Sequence, residues 1–467
     1  MLYLYAVNPT IFIMKPLFLF GFGMLCTVSC TQEKGSFEPE SLPVSKIQFS
    51  DAEVRRLPLL SSNHRRAPET VLAFAKNFVQ TMQPDSKSGF VSLSISDSVS
   101  LGNDILTKGE DLNLAPLYVV SRGEGQGFLL VAGDNRITPV WGMIERGDYA
   151  EGVNPGFDIM IEQLKAEMWA EALAVESLRD SVYENLCAKL GSHGATKAKN
   201  PDPDIPPAIS PDIPAYNRTE TVERYPYFEN EYEYGPLLKT KWHQQSPFNN
   251  FRTDDAPAGC MAISCGQIMA YHRHPIYMAA TGHYYTWDAY QSYGYLFSSD
   301  AANNVSTLMQ DLGSKPYLHL EYGESTGAHC SHTPRTFEAF GYVINGAHRS
   351  ANFSDIRNEV NENRPVHICG DDNGVFVKKG HSWVADGALA QSQWVTMCTL
   401  FYWNDQLVYT IESKEPSKKS DGSYIHHNFG WGGNYDGWMG MRPLPNNAPN
   451  ASAFNHNLKI IIGIQPK

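Results

Sequence analysis

No basic stripe runs through this chain. Its 37 Lys and Arg face 50 Asp and Glu, a net charge of −13, so nucleic acid, which selects clustered cations, is not an expected partner. The apolar run from Leu17 to Val28 is too short to cross a bilayer comfortably. Cysteine is sparse, with 8 in 467 residues, and its spacing shows no framework of the small disulfide-rich kind. Cys187, Cys265, Cys330, Cys369 and Cys398 are therefore expected to be buried thiols, with at most one or two bridges among them. No His-Glu-x-x-His occurs, and the pairs His272/His274, His329/His332 and His426/His427 lack the three or four ligands that zinc needs. No metal or other cofactor is expected. Neither Ser264 nor Ser382 sits in a Gly-x-Ser-x-Gly elbow.

What remains is a cysteine. Ala258-Gly259-Cys260 opens a run of small and apolar residues that reaches His272 without a proline. Apolar side chains on nearly every face predict a buried helix. Cys260 would stand at its N-terminus, where unpaired N–H groups and the helix dipole favour a thiolate. Position alone also fits an inert buried thiol. A partner decides for chemistry. His381 follows Gly380 at the head of an alternating, strand-like stretch, and His426-His427-Asn428-Phe429-Gly430-Trp431-Gly432-Gly433 lies beyond it. A Cys, a distant His and then an Asn or aromatic element is the order of papain-like cysteine peptidases.

The chain resembles the streptopain family of cysteine peptidases, family C10 of the papain-like clan, and in particular its Bacteroides-type zymogens. The resemblance rests on Trp242 to Asn249, Gly259 to His272, Tyr322 to Gly327, Phe340-Gly341-Tyr342, Gly380-His381, Asn428 to Gly433 and Ile462-Gly463-Ile464, in the family's order. It implies an α+β fold, a papain-like catalytic domain with a helical half and an antiparallel sheet half, preceded by a small α+β prodomain. It implies Cys260 as nucleophile, His381 as general base and acid, and Gln244 in the oxyanion hole. Trp431 matches a tryptophan beside the catalytic histidine. Phe429 stands where the family has another tryptophan, which removes an indole donor. Asn428 is the nearest amide to orient the histidine, and Ala328 and Gly380 match positions lining the substrate cleft. Protein or peptide substrates follow, with a preference for a bulky apolar side chain just before the scissile residue.

The N-terminus reads as an export signal over residues 1–30, with Met14 as the expected start. Val28-Ser29-Cys30 resembles a lipobox, with Cys30 as the lipidated residue and Cys26 as a weaker candidate. Membrane contact is expected only through that anchor, and the protein is expected at the outer membrane or in the periplasm, or released from the cell. Residues 31–67 form a tether. Residues 68–197 resemble the family's inhibitory propeptide, an intramolecular partner of the peptidase. Apolar spacing predicts a helix from Pro68 to Met82, strands at Leu117 to Val120, Phe128 to Ala132 and Ile137 to Ile144, and a helix over 157–190 with Asp158, Glu162, Lys165 and Glu167 on its wet side. Residues 198–235 read as a Pro-rich linker carrying the activation site, with cleavage expected within 198–238.

The peptidase is placed at 236–467, with strands at Pro365 to Gly370, His381 to Asp386, Trp394 to Tyr402, Gln406 to Glu412 and Leu458 to Gly463. Ala388 to Tyr424 exceeds the family's usual connection and predicts an extra hairpin turning at Asn404-Asp405. The expected function is an exported cysteine endopeptidase made as a zymogen. A catalytically dead binding relative is disfavoured by the joint presence of Cys260, His381 and Gln244. A transglutaminase-like acyl transferase is disfavoured by the family blocks.

Overall fold

The computed structural model describes residues 48–84, 92–101, 112–189, 216–290, 298–324, 326–371, 380–442 and 458–467. The signal segment with Cys30, most of the tether and the Pro-rich stretch 201–214 lie outside the described residues. Numbering only the longer helices and the strands of the large sheet, the order is α1 (Pro68–Met82), β1 (Ser94–Val99), β2 (Leu117–Ser121), β3 (Phe128–Ala132), β4 (Val140–Ile144), α2 (Pro155–Glu176), α3 (Arg179–Lys189), β5 (Arg218–Tyr234), α4 (Cys260–His272), α5 (Ser299–Gly313), β6 (Gly346–Ser350), α6 (Phe353–Asn361), β7 (Val366–Asp371), β8 (Gly380–Trp403), β9 (Gln406–Glu412), β10 (Ser417–Asn428), β11 (Gly437–Gly440) and β12 (Lys459–Ile462).

Both halves of the chain share one sheet. Its order is β1-β2-β3-β4-β11-β10-β8-β7-β12-β6, with β5 and β9 also paired to β8. The strands of the N-terminal half join those of the C-terminal half where β4 meets β11, with Ile144 opposite Gly437 and Met143 opposite Trp438. Side chains alternate across a strand, and the cores follow. Trp383 and Ala385 point to one face, where α2 lays Phe157, Met160, Leu164 and Met168 over strands of both halves. Val384 points the other way, into the core beneath α4, with Ala262, Ile263, Ile268 and Met269.

The extra hairpin is present. Asn404 and Asp405 take φ of 48° and 62° between β8 and β9, the left-handed pair that a two-residue turn requires and that Asn and Asp tolerate best. The stretches His381 to Asp386 and Trp394 to Tyr402 are one continuous strand, β8, rather than two. Its distal half is not a free edge. Leu389, Val395, Met397 and Phe401 of β8, Ile411 of β9 and Phe228 of β5 pack against Val71, Phe74, Phe78 and Val79 of α1.

Three further expectations are corrected. The helix over 157–190 is two helices, α2 and α3, broken at Ser177 and Leu178. Residues 218–234, read as part of the linker, form β5, whose ladder with β8 runs from Arg218 opposite Tyr402 to Tyr234 opposite Ala388. Glu167 is not on a wet face. It is 3 % exposed, accepting from Gln163 Nε2 at 2.9 Å and from the Arg442 backbone N–H at 3.0 Å.

Burial pushes the Glu167 carboxyl up to about 8 from 4.5. The folded chain therefore holds a proton that the unfolded chain has lost between about pH 4.5 and 8, and stability falls as pH rises through that window. In urea titrations of the Cys260→Ala chain, Glu167→Gln is expected to remove this part of the decline. Parallel curves for the two proteins would refute it.

Candidate active site

The cleft is built where α4 meets the head of β8. Gly259 precedes the helix with φ of 95°, and a Cβ there would lie 3.0 Å from Leu320 Cδ1 and from Thr326 Cγ2. Only glycine both adopts that φ readily and fits the gap. Cys260 thus becomes the first residue of α4 and is partly buried. Burial pushes its thiol up, while hydrogen bonding from the backbone at Ser382, Met261 and Cys260 itself acts in the opposite sense and favours the anion.

His381 is 5 % exposed. Its Nε2 lies 2.9 Å from the Phe429 carbonyl oxygen. A carbonyl can only accept, so Nε2 carries the proton and Nδ1 keeps the lone pair. Burial lowers the imidazole to about 4, the Phe429 carbonyl acting in the opposite sense. The ring stacks on Trp383 at 6.0 Å between centroids. The Phe429 backbone is itself fixed, its N–H donating to Asp436 Oδ1 at 2.9 Å while Lys241 Nζ holds Asp436 Oδ2 at 3.1 Å.

Cys260 and His381 line one cleft of about 550 Å³ together with Gln244, Gly380, Trp431, His243, Glu324 and Thr326. Gly430 and Gly432, at φ of 71° and 69°, carry Trp431 to the rim. The Trp431 indole Nε1 is buried with no hydrogen-bond partner.

Two candidates fall elsewhere. The Asn428 amide does not orient His381. Its Nδ2 donates to Thr240 O at 2.9 Å, and its Oδ1 accepts from Gln267 Nε2 at 3.0 Å and Gly430 N at 3.2 Å. Asn428 ends β10, pointing into the core under α4, and the Phe429 main chain supplies the acceptor instead. Ala328 packs against the helical-half core, while Thr326 and Glu324 of the same loop reach the cleft. Asp436, Lys241 and the Phe429 carbonyl were not foreseen. Main-chain acceptors leave no mark in a sequence.

Of the histidine pairs, His426 and His427 are engaged elsewhere. His427 Nδ1 accepts from Trp383 Nε1 at 3.0 Å. His426 lies between Asp386, at 2.6 Å, and Glu145 of the prodomain half, at 3.3 Å. Burial opposes its charge, but these two carboxylates outweigh that and raise it to about 10. Among the described residues no group of three or more His, Cys, Asp or Glu could hold a metal ion. Cys330 and Cys369 form a disulfide, and Cys187, Cys265 and Cys398 are buried thiols.

The prodomain half enters the cleft. Pro155, at the start of α2, lines it beside Cys260. A Cβ on Gly156 would lie 2.5 Å from His381 Cδ2 and 2.7 Å from Phe429 Cδ1, so the helix begins against the imidazole. Asn154 caps α2 there, its Oδ1 accepting from the N–H groups of Gly156 and Phe157 at 3.0 and 3.1 Å.

Comparison with known proteins gives the same two parts. Residues 242–439 match the Peptidase C10 family, and residues 64–168 match the Spi protease inhibitor family. The chain is 25 % identical over 439 residues to the thiol protease/hemagglutinin PrtT of Porphyromonas gingivalis, covering 84 % of this chain and 41 % of that one. It is 23 % identical over 450 residues to streptopain of Streptococcus pyogenes, covering 86 % and 92 %. A solved fragment of Prevotella intermedia prointerpain A aligns over 77 % of this chain and 98 % of its own, at 17 % identity and a TM-score of 0.43.

Proposed function

We propose that this chain, which belongs to the peptidase C10 family and is a cysteine endopeptidase zymogen with a Spi-type inhibitor domain in front, cleaves peptide bonds through Cys260 and His381. The observation that carries this reading is the meeting of a helix-terminal cysteine and a strand-terminal histidine in one cleft. His381 Nδ1 takes the thiol proton, and the sulfur attacks the scissile carbonyl. The Cys260 backbone N–H and the Gln244 side-chain amide stabilise the oxyanion. The imidazolium then protonates the departing amine, and water, activated by the same nitrogen, hydrolyses the thioester. Trp431 and Gly380 border the bound peptide. Expressing the chain from residue 31 and following self-processing and casein cleavage, with Cys260→Ala in parallel, tests this. An alanine protein that digests casein as well as the parent rejects it.

Latency follows from the start of α2 standing in the cleft. Activation is proposed between residues 190 and 217, because a cut there leaves β5 in its ladder with β8. Mass spectrometry of the active form should find a new N-terminus in that window. Export and a lipid anchor on Cys30 are proposed from the N-terminal run alone, and palmitate labelling lost in Cys30→Ala tests them.

The β4–β11 seam offers a selective way to loosen the prodomain. A Cβ on Gly437 would lie 2.3 Å from Met143 O and 2.8 Å from Ile144 Cα, all prodomain backbone. Overpacking of this kind costs about 1–3 kcal/mol. Gly437→Ala is expected to speed self-processing several-fold or more, with the processed enzyme's kcat/KM changed less than about twofold. Processing at the parental rate would show that the seam does not hold the prodomain.

A further inference from the structure

The seam between α4 and β8 contains a buried polar knot that the mechanism above does not use. Ser264 lies one helical turn beyond Cys260, on the same side of α4. Ser382 follows His381 on β8. Between them stands His367 of β7, paired in register with Val384. The contacts are mutual. Ser264 Oγ is 3.1 Å from His367 Nε2 and 2.8 Å from Ser382 Oγ, and Ser382 Oγ is 2.8 Å from His367 Nε2. Ser264 also donates to the Met261 carbonyl at 3.1 Å. The three side chains are 0–2 % exposed, and burial lowers His367 to about 3, so the ring is neutral.

Two hydroxyl protons shared among such close partners leave little rotational freedom. The ring's other nitrogen faces Cys369 Sγ at 4.0 Å, and Cys369 is disulfide-bonded to Cys330. The knot therefore joins three elements at one point. The knot also adjoins the reacting groups, since Ser382 follows His381 on β8 and Ser264 shares α4 with Cys260.

We propose that His367 is a positioning residue for the peptidase reaction: by pinning the hydroxyls of Ser264 and Ser382 it sets α4 against β8, and with them the Cys260 sulfur against the His381 ring. The inference rests on the reading of Cys260 as nucleophile. Its logic is geometric. Apolar packing alone lets a helix slide on a sheet by fractions of an ångström, whereas hydrogen bonds fix both distance and direction. A displacement of about 1 Å near reacting atoms can cost about 100-fold in rate.

The test uses the processed enzyme. His367→Leu keeps the site filled and removes the hydrogen bonds. His367→Gln keeps an amide near Nε2. Ser382→Ala removes one arm and is the milder change should His367→Leu fold poorly. Steady-state peptide hydrolysis and the rate of Cys260 alkylation by iodoacetamide are read together with the thermal midpoint. Expected are a fall in kcat of about tenfold or more for His367→Leu and for Ser382→Ala, with KM within about twofold. Cys260 alkylation should slow in the same variants. His367→Gln should recover part of both, and the His367→Leu/Ser382→Ala double variant should be no worse than its poorer parent.

A lowered thermal midpoint with parental kcat and alkylation in both single variants would overturn the inference, leaving a structural knot only. Full additivity of the two substitutions would also overturn it. Hydrolysis that survives Cys260→Ala is a different failure, because it rejects the catalytic reading itself, and this inference with it.

Discussion

Cys260→Ala is expected to lower casein hydrolysis by about 10⁴-fold or more and to leave the chain at its full length after prolonged incubation. The size follows from the unit behaviour of nucleophile and base, whose separate removal costs nearly as much as joint removal in comparable hydrolases. His381→Ala should fall to a similar floor, and the double variant should go no lower. Gln244→Ala should lose less, about 100- to 1,000-fold, because the Cys260 N–H still faces the oxyanion. Asn428→Ala separates two accounts of the site. An asparagine that orients the imidazole would cost activity in the processed enzyme. The observed Asn428 instead satisfies Gln267, Thr240 and Gly430 in the core, so its loss should lower the unfolding midpoint and leave kcat within a few-fold. The acceptor for His381 is the Phe429 main-chain carbonyl, which side-chain substitution cannot delete. A large kcat loss in a stably folded Asn428→Ala protein would contradict this geometry.

The parts of this molecule legible in its sequence are those whose causes are local. Gly259 before an uninterrupted apolar run marks α4 to the residue. Asn404-Asp405 marks the β8–β9 turn, since few other residue pairs accept two positive φ values. Phe128 to Ala132 is β3 as read. What escaped depends on distant partners. β5 carries Glu, Arg, Thr and a proline, and it is a strand because β8 lies beside it along its length. Glu167 sits among the charged residues expected on the wet side of its helix, and only the packing of α2 on residue 442 buries it. The Cys330–Cys369 pair cannot be chosen from spacing among five candidates. At the cleft the sequence picked out Cys260, His381 and Gln244, which do line it together, but the acceptor for His381 is a main-chain atom of Phe429, whose own N–H is held by Asp436 and Lys241. Side-chain chemistry is written in the sequence, whereas the backbone groups that aim it are placed by the fold.

The same long-range logic gives the largest stability effect. Arg66, Glu223 and Lys419 meet where the prodomain, β5 and β10 converge, with side chains 0–2 % exposed. Arg66 Nη2 lies 3.1 Å from Glu223 Oε1, and Lys419 Nζ 3.3 Å from the same oxygen. The Arg66 guanidinium also donates to the carbonyls of Ala132 and Ile137, both at 2.8 Å, and Lys419 to that of Asn135, also at 2.8 Å. Burial would push the Glu223 carboxyl up, but the two cations outweigh it and hold it below the usual range. Glu223 is thus the one anion between two cations. Its removal strands both charges out of water, a loss of about 3–5 kcal/mol for a broken buried pair. Lys419→Met leaves the Arg66–Glu223 pair intact and should cost clearly less. The pH dependence has a definite sign. A carboxyl held low contributes stability that is present above its unfolded pKa and lost as pH falls through the folded value, so acid should destabilise the parent more than Glu223→Gln. Because Arg66 belongs to the prodomain side, Glu223→Ala should also free the cleft early. Urea unfolding in the Cys260→Ala background reads the stability, and the half-time of self-processing in the active chain reads the release. An unchanged midpoint in Glu223→Ala would mean that water or rearranged partners replace the carboxylate, and that the prodomain is held without this cluster, by the β4–β11 ladder and apolar packing.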